Sequence, residues 1–100
     1  MEAAIKDHLP EIKNLLRRYS VESAYLFGSA AKNVVHQNSD VDFLIRFRND
    51  LDYETYSDNY FGLLYSLQAL LQKNVDLIAE ETLSNPYLIQ SINQSKIRLL

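Results

Sequence analysis

The stretch that decides the reading runs Phe27-Gly28-Ser29, ten residues of spacer, then Asp40-Val41-Asp42-Phe43-Leu44-Ile45. Ser23-Ala24-Tyr25-Leu26-Phe27 is short and apolar, the pattern of a buried strand, and it ends at Gly28. A glycine there lets the backbone turn tightly and approach a ligand with no Cβ in the way. Residues 30–39 start helix-like and end in polar loop chemistry. A helix beginning there offers unpaired N–H groups and the positive end of its dipole, a site suited to phosphate. Ser29 adds a hydroxyl donor for the same oxygens. Asp40 to Arg48 reads as a second strand. Side chains at i and i+2 of a strand share a face, so Asp40 and Asp42 point the same way, roughly 7 Å apart. Val41, Phe43 and Ile45 then face the core.

Working outward, Ile5, Leu9, Ile12, Leu15, Leu16 and Tyr19 recur at spacings of three and four, one face of an amphipathic helix. Asp7 is read as its N-cap, so the firm helix starts near residue 8, with Pro10 in its first turn and its end near Tyr19-Ser20. The longest helix lies between Leu51 and Gln72, capped by Asp52, with Gly62 inside it allowing close packing against the sheet. Asn74-Val75-Asp76-Leu77-Ile78 is a third strand. Asn85-Pro86 opens a last helix reaching Ser91 or Asn93, and Lys96 to Leu100 reads as an edge strand. The order is α-β-(α)-β-α-β-α-β, an α/β (α+β) fold with helices packed on a small sheet of about four strands. Residues 1–100 are expected to form one domain.

Composition sets the outer bounds. The chain has 100 residues, no cysteine, two glycines and two prolines, with 47% hydrophobic and 23% charged residues. Average usage is about seven glycines per hundred residues, so the placing of these two is informative. Disorder and low-complexity tails are excluded. A single core with a radius of gyration of about 13 Å is expected. Ten basic against thirteen acidic residues give a net charge of −3, against a general nucleic-acid binder. Lack of cysteine removes disulfides, thiolate metal sites and thiol catalysis, and favours a cytoplasmic home. No secretory leader is visible, and no apolar run approaches the about 18–20 residues of a membrane span.

Two like-charged carboxylates at a sheet end need a cation or solvent. Beside a phosphate site, oxygen ligands of this kind suit Mg²⁺. If the third strand neighbours the Asp40–Asp42 strand, Asp76 completes a cluster of three carboxylates. Such a cluster can hold metal and deprotonate an attacking hydroxyl. Lys32 is a candidate cation for a triphosphate or a solvated loop lysine. Ser39 either orients Asp40 or serves a plain turn. His36 and the pair Glu80 and Glu81 read as solvated. Arg46 lies too far along its strand for metal chemistry. Tyr53, Tyr56, Tyr60 and Tyr65 fit core or partner packing better than a base-stacking platform.

The Gly-Ser, ten-residue spacer and Asp-x-Asp resemble the signature of the polymerase-beta-type nucleotidyltransferases. At this length the chain resembles their minimal nucleotidyltransferase (MNT) branch. The resemblance spans nearly the whole chain. It implies that Gly28 and Ser29 bind nucleotide phosphate and that Asp40 and Asp42 ligate Mg²⁺. Asp76 is implied to assist as ligand or base. Members pair with a helical HEPN-domain toxin. The resemblance therefore implies an antitoxin that transfers AMP from ATP to a tyrosine of that toxin, in a hetero-oligomer. The alternatives are an antitoxin that neutralises its partner by binding alone, or transfer to another acceptor. The family motif often reads Gly-Ser-Arg-Ala-Arg-Gly; here it is Gly28-Ser29-Ala30-Ala31-Lys32-Asn33. Lys32 keeps a cation but lacks the bidentate fork of arginine, a change that bears on phosphate affinity and nucleotide choice.

Overall fold

Four strands form one mixed sheet in the order β3-β2-β1-β4. In this computed structural model the described residues are 1, 3–28, 31 and 40–100. The elements are α1 (Ala3–Asp7), α2 (Leu9–Arg18), β1 (Val21–Phe27), β2 (Val41–Phe47), α3 (Tyr53–Leu71), β3 (Val75–Ala79), a 3₁₀ turn (Glu80–Thr82), α4 (Pro86–Ser95) and β4 (Ile97–Arg98). β1 runs antiparallel to β2 and to β4, while β2 and β3 run parallel. A parallel pair needs a crossover, and the long α3 supplies it. The Cα radius of gyration is 13.0 Å, as the length implies.

The two faces of the sheet are covered unequally. Val41, Phe43, Ile45 and Phe47 of β2 bury one face under Ile12 and Leu16 of α2 and Leu63, Leu67 and Leu71 of α3. The opposite face has a smaller apolar cluster of Phe27, Leu44 and Ile92, roofed by α4. The alternation along β2 puts Asp42 on this second face, with Leu44.

Three expectations change. First, Asp7 does not cap the leading helix. It ends the separate turn α1, and α2 starts after His8, whose side chain makes no capping bond. Ile5 and Leu9 are four apart, so the apolar period runs through the break and hides it. Second, Gly62 packs against Tyr19, not the sheet. A Cβ at residue 62 would lie 2.6 Å from the Tyr19 ring, whose hydroxyl lies 3.3 Å from the Ser66 hydroxyl oxygen. Third, α4 continues to Ser95, beyond its expected end. The helix-like reading of residues 30–39 falls outside the described residues, apart from Ala31.

The caps at Asp52 and Asn85 match their reading. The Asp52 carboxylate accepts from the Thr55 N–H at 2.7 Å, and hydrogen bonding from the Thr55 side chain, then from its N–H, holds its pKa below the ordinary value. The Asn85 side-chain oxygen accepts from the N–H groups of Tyr87 at 3.0 Å and Leu88 at 3.4 Å. Asn85→Ala should destabilise the fold by about 1 kcal/mol, checked by urea unfolding. A change of less than about 0.3 kcal/mol would show that the α4 cap contributes nothing.

Candidate active site

Gly28 ends β1 at the same end of the sheet where β2 and β3 begin. Three register pairs meet there. Phe27 lies opposite Asp42, Asp42 is level with Asp76, and Val41 is level with Val75. Neighbouring strands lie about 4.8 Å apart, so the Asp42 and Asp76 backbones are side by side and both carboxylates leave the same face. Asp40 stands just before β2, exposed to solvent. Asp42 is only partly exposed.

The electrostatics follow from this crowding. Burial pushes the Asp42 carboxyl up from its ordinary 3.8 to about 6, and the charges of Asp76 and Asp40 push in the same direction. Negative charge beside a half-buried carboxyl raises its proton affinity until a cation relieves it. Among the described residues, no three Asp, Glu, His or Cys side chains already stand together at metal-holding spacing.

Gly28 has a φ of +73°, in the left-handed region. That alone does not demand glycine, because Ser20 at +67° and Gln72 at +53° adopt the same region. Space distinguishes it. A Cβ at residue 28 would fall far inside van der Waals contact of Asp42 Oδ2. The glycine clears room for the Asp42 carboxylate. Ser29, Lys32 and Ser39 lie outside the described residues.

The rest of the face is packed or paired. One register row below Asp42, Tyr25 lies opposite Leu44, with the Lys96 ammonium 4.5 Å from its ring centroid. Arg46, a further row down, faces Glu80 at 3.9 Å, consistent with its reading as remote from the carboxylates.

Two anchors of β3 escaped the sequence reading. β3 is an edge strand, and the Tyr60 hydroxyl donates to the Leu77 carbonyl at 2.5 Å, next to Asp76. Burial and the Asp76 charge both raise the Tyr60 pKa. The Tyr56 hydroxyl donates to Glu81 Oε1, and its ring meets Phe47 edge-on at 4.9 Å. Burial and then the Glu81 bond push Tyr56 up to about 12. Helical spacing indicated that these tyrosines pack but not where their hydroxyls go. Tyr60→Phe should leave the Leu77 carbonyl unpaired and destabilise the protein by about 1–2 kcal/mol. Denaturant titration reads this directly, and unchanged stability would remove the hydroxyl from the account.

A backbone cleared by glycine against paired carboxylates on parallel strands defines an oxygen-donor site of the kind that handles phosphate and hard cations. Residues 9–99 match the family model described as a nucleotidyltransferase domain. A protein of Methanocaldococcus jannaschii named "Putative protein adenylyltransferase MJ1379" is 35% identical over 97 residues, covering 89% of this chain and 95% of that one. A crystal structure of a toxin–antitoxin with AMP-PNP contains a chain 26% identical to this one, with a TM-score of 0.72. The match covers 92% of this chain and 72% of that chain. The fold also recurs, with a TM-score of 0.66 and 23% identity, in a structure of tri-AMPylated Shewanella oneidensis HEPN toxin in complex with MNT antitoxin. That match covers 95% of this chain and 71% of its counterpart. The chain belongs to the nucleotidyltransferase domain family, enzymes that transfer nucleotidyl groups.

Proposed function

We propose that this protein is a Mg²⁺-dependent protein adenylyltransferase that acts as an antitoxin, moving AMP from ATP to a tyrosine hydroxyl of a HEPN-type toxin. The observation that carries the chemistry is the side-by-side placing of Asp42 and Asp76 against Gly28. In this reading residues 1–100 act as one minimal nucleotidyltransferase domain, with the partner supplying the acceptor surface. The two work in the cytoplasm as a hetero-oligomer. The crystal structure of a similar chain in a toxin–antitoxin with AMP-PNP supports a toxin partner and an adenine nucleotide. Among the described residues, no helix is long and apolar enough to cross a membrane.

The donor set suits the ion. Asp40, Asp42 and Asp76 offer only hard oxygens, and the raised Asp42 pKa marks a site where carboxylate charge is uncompensated. These three residues would hold Mg²⁺, which when bound supplies positive charge against the triphosphate. The reaction is a single in-line displacement. The acceptor oxygen bonds to the α-phosphorus, and the bond from that phosphorus to the oxygen bridging to the β-phosphate breaks. Pyrophosphate leaves with that electron pair. The hydroxyl proton passes to Asp76 as base; in the alternative role Asp76 would complete the metal site. Gly28 and Ser29 receive the leaving phosphates, Lys32 balances their charge, and Ser39 orients Asp40. Catalysis of this type is mostly positioning and charge neutralisation.

The test incubates the protein with its HEPN-type partner, α-labelled ATP and Mg²⁺. Label should appear on a partner tyrosine with wild-type protein and not with Asp40→Asn/Asp42→Asn. Label transfer that survives the double substitution would overturn the assigned roles. Protection of cells from the partner by that double variant would replace transfer with neutralisation by binding.

A further inference from the structure

We propose that the outer face of α3, with the groove it forms against the free edge of β3, docks a cationic, apolar-faced helix of a protein partner. Tyr53, Ser57, Phe61 and Tyr65 are four residues apart, so they line one side of α3. Tyr53 is 87%, Phe61 49% and Tyr65 62% exposed. Phe61 stacks on Tyr65 with ring centroids 6.2 Å apart, and Tyr60 meets Phe61 edge-on at 5.2 Å. Beside this stripe runs a groove of about 370 Å³ whose walls include Tyr53 and Tyr56 of α3 and Leu77 and Ala79 of β3. Single exposed rings need no explanation, but exposed aromatic rings grouped along one helix side and bordering a groove mark an interaction surface.

The edge chemistry selects the shape of the occupant. A free strand edge would ordinarily accept another strand. Here the Leu77 carbonyl already accepts from Tyr60, and the Ala79 carbonyl accepts from the Thr82 hydroxyl at 2.7 Å. An added strand would find these acceptors engaged, so the occupant must bind through side chains, as a helix in a groove does.

Charge selects its composition. α3 carries Glu54 and Asp58 and no lysine or arginine. Both acids are exposed. The nearby arginines are engaged, Arg46 with Glu80 at 3.9 Å and Arg48 with Asp50 at 2.5 Å. A second copy of this face, or a nucleic acid, would set like charges together. Lysines or arginines on a helix would instead pair with Glu54 and Asp58 and lie over the tyrosine rings. Along β3 the groove wall ends at Leu77, the residue after Asp76, so a docked protein lies along the edge of the strand that carries that carboxylate. That link to transfer rests on the function proposed above; the docking itself does not.

Two synthetic amphipathic helices, one of leucine and lysine and one of leucine and glutamate, test this against isotope-labelled full-length protein by NMR titration at physiological salt. The cationic helix should shift Tyr53, Ser57, Phe61, Tyr65 and Leu77, and the anionic helix should not. Phe61→Ser/Tyr65→Ser and, separately, Glu54→Lys/Asp58→Lys should each weaken binding about tenfold or more. Thermal unfolding confirms that these surface variants remain folded. Shifts that miss α3 and β3, equal binding of both helices, or wild-type affinity in both variants would overturn the proposal. So would an extended leucine–lysine peptide with alternating charge that reproduced the shifts. A failure of label transfer to the toxin would leave all of these readouts unchanged, so the two proposals fail separately.

Discussion

Asp42→Asn should abolish AMP transfer, by about 10³-fold or more, while making the metal-free protein more stable at neutral pH. The two effects have one cause. Asp42 is half-buried and held close to Asp76 and Asp40, so its charge is costly in the folded protein without a cation. Its folded pKa is near 6, above the ordinary 3.8. For a carboxyl raised in this way, the stabilising contribution is fully present below pH 3.8. It is lost as pH rises through 6, because the folded state then gives up a proton it holds more tightly than the unfolded chain does. The asparagine variant has no such loss. In EDTA it should exceed wild type above pH 6 by about 1–2 kcal/mol, a figure reduced for solvent screening at this half-exposed group. Near pH 3.8 and below, the two should converge. Mg²⁺ with ATP should raise the wild-type melting temperature and leave the variant nearly unmoved. Thermal melts at pH 4 and 7.5, with and without Mg²⁺ and ATP, check each part. An Asp42→Asn protein less stable than wild type at pH 7.5 would contradict the crowded-carboxylate account.

The second large effect is expected at Gly28. Gly28→Ala should lower transfer by about 100-fold, because a misplacement of about 1 Å at a reacting centre costs that much. The new methyl group claims the space of Asp42 Oδ2. The backbone conformation adds a smaller penalty of about 1 kcal/mol in stability. Comparison with Ser20→Ala separates these terms, since Ser20 shares the positive φ but lies at the far end of β1. Ser20→Ala should leave transfer unchanged. Equal activity losses at both positions would show that the conformation, not the carboxylate, is what Gly28 serves.

Much of this site was legible in the residues because strand chemistry is local. Alternation placed Val41, Phe43 and Ile45 in the core and turned Asp42 to the other face. Whether β3 neighbours β2 is a condition in the sequence reading; the structure meets it with a parallel pairing that sets Asp76 level with Asp42. Asp52 and Asn85-Pro86 announced their helices because capping is decided within three residues.

The failures are tertiary. Gly62 meets Tyr19, forty-three positions earlier in the chain, and no periodicity reports such a contact. Ile5 and Leu9 keep a helical spacing across the break at His8; the firm helix is expected from about residue 8, as found, while the short α1 before it goes unread. The reason for Gly28 shifted as well. Sequence spacing assigned its missing Cβ to an approaching phosphate, whereas the folded chain gives that space to Asp42. The two readings are compatible, since in the proposed function a carboxylate set tightly behind the turn is itself part of the phosphate and cation site. The hydroxyls of Tyr56 and Tyr60 could not be placed from spacing alone, although they fasten the edge strand that carries Asp76.

The central claim is that carboxylates from two parallel strands form one cation site serving a nucleotide. Its most direct test is Mn²⁺ binding followed by electron paramagnetic resonance, in the presence of a non-hydrolysable ATP analogue. Wild-type protein should bind Mn²⁺ together with the analogue, and Asp40→Asn, Asp42→Asn and Asp76→Asn should each weaken that binding about tenfold or more. Wild-type affinity in all three variants would contradict it.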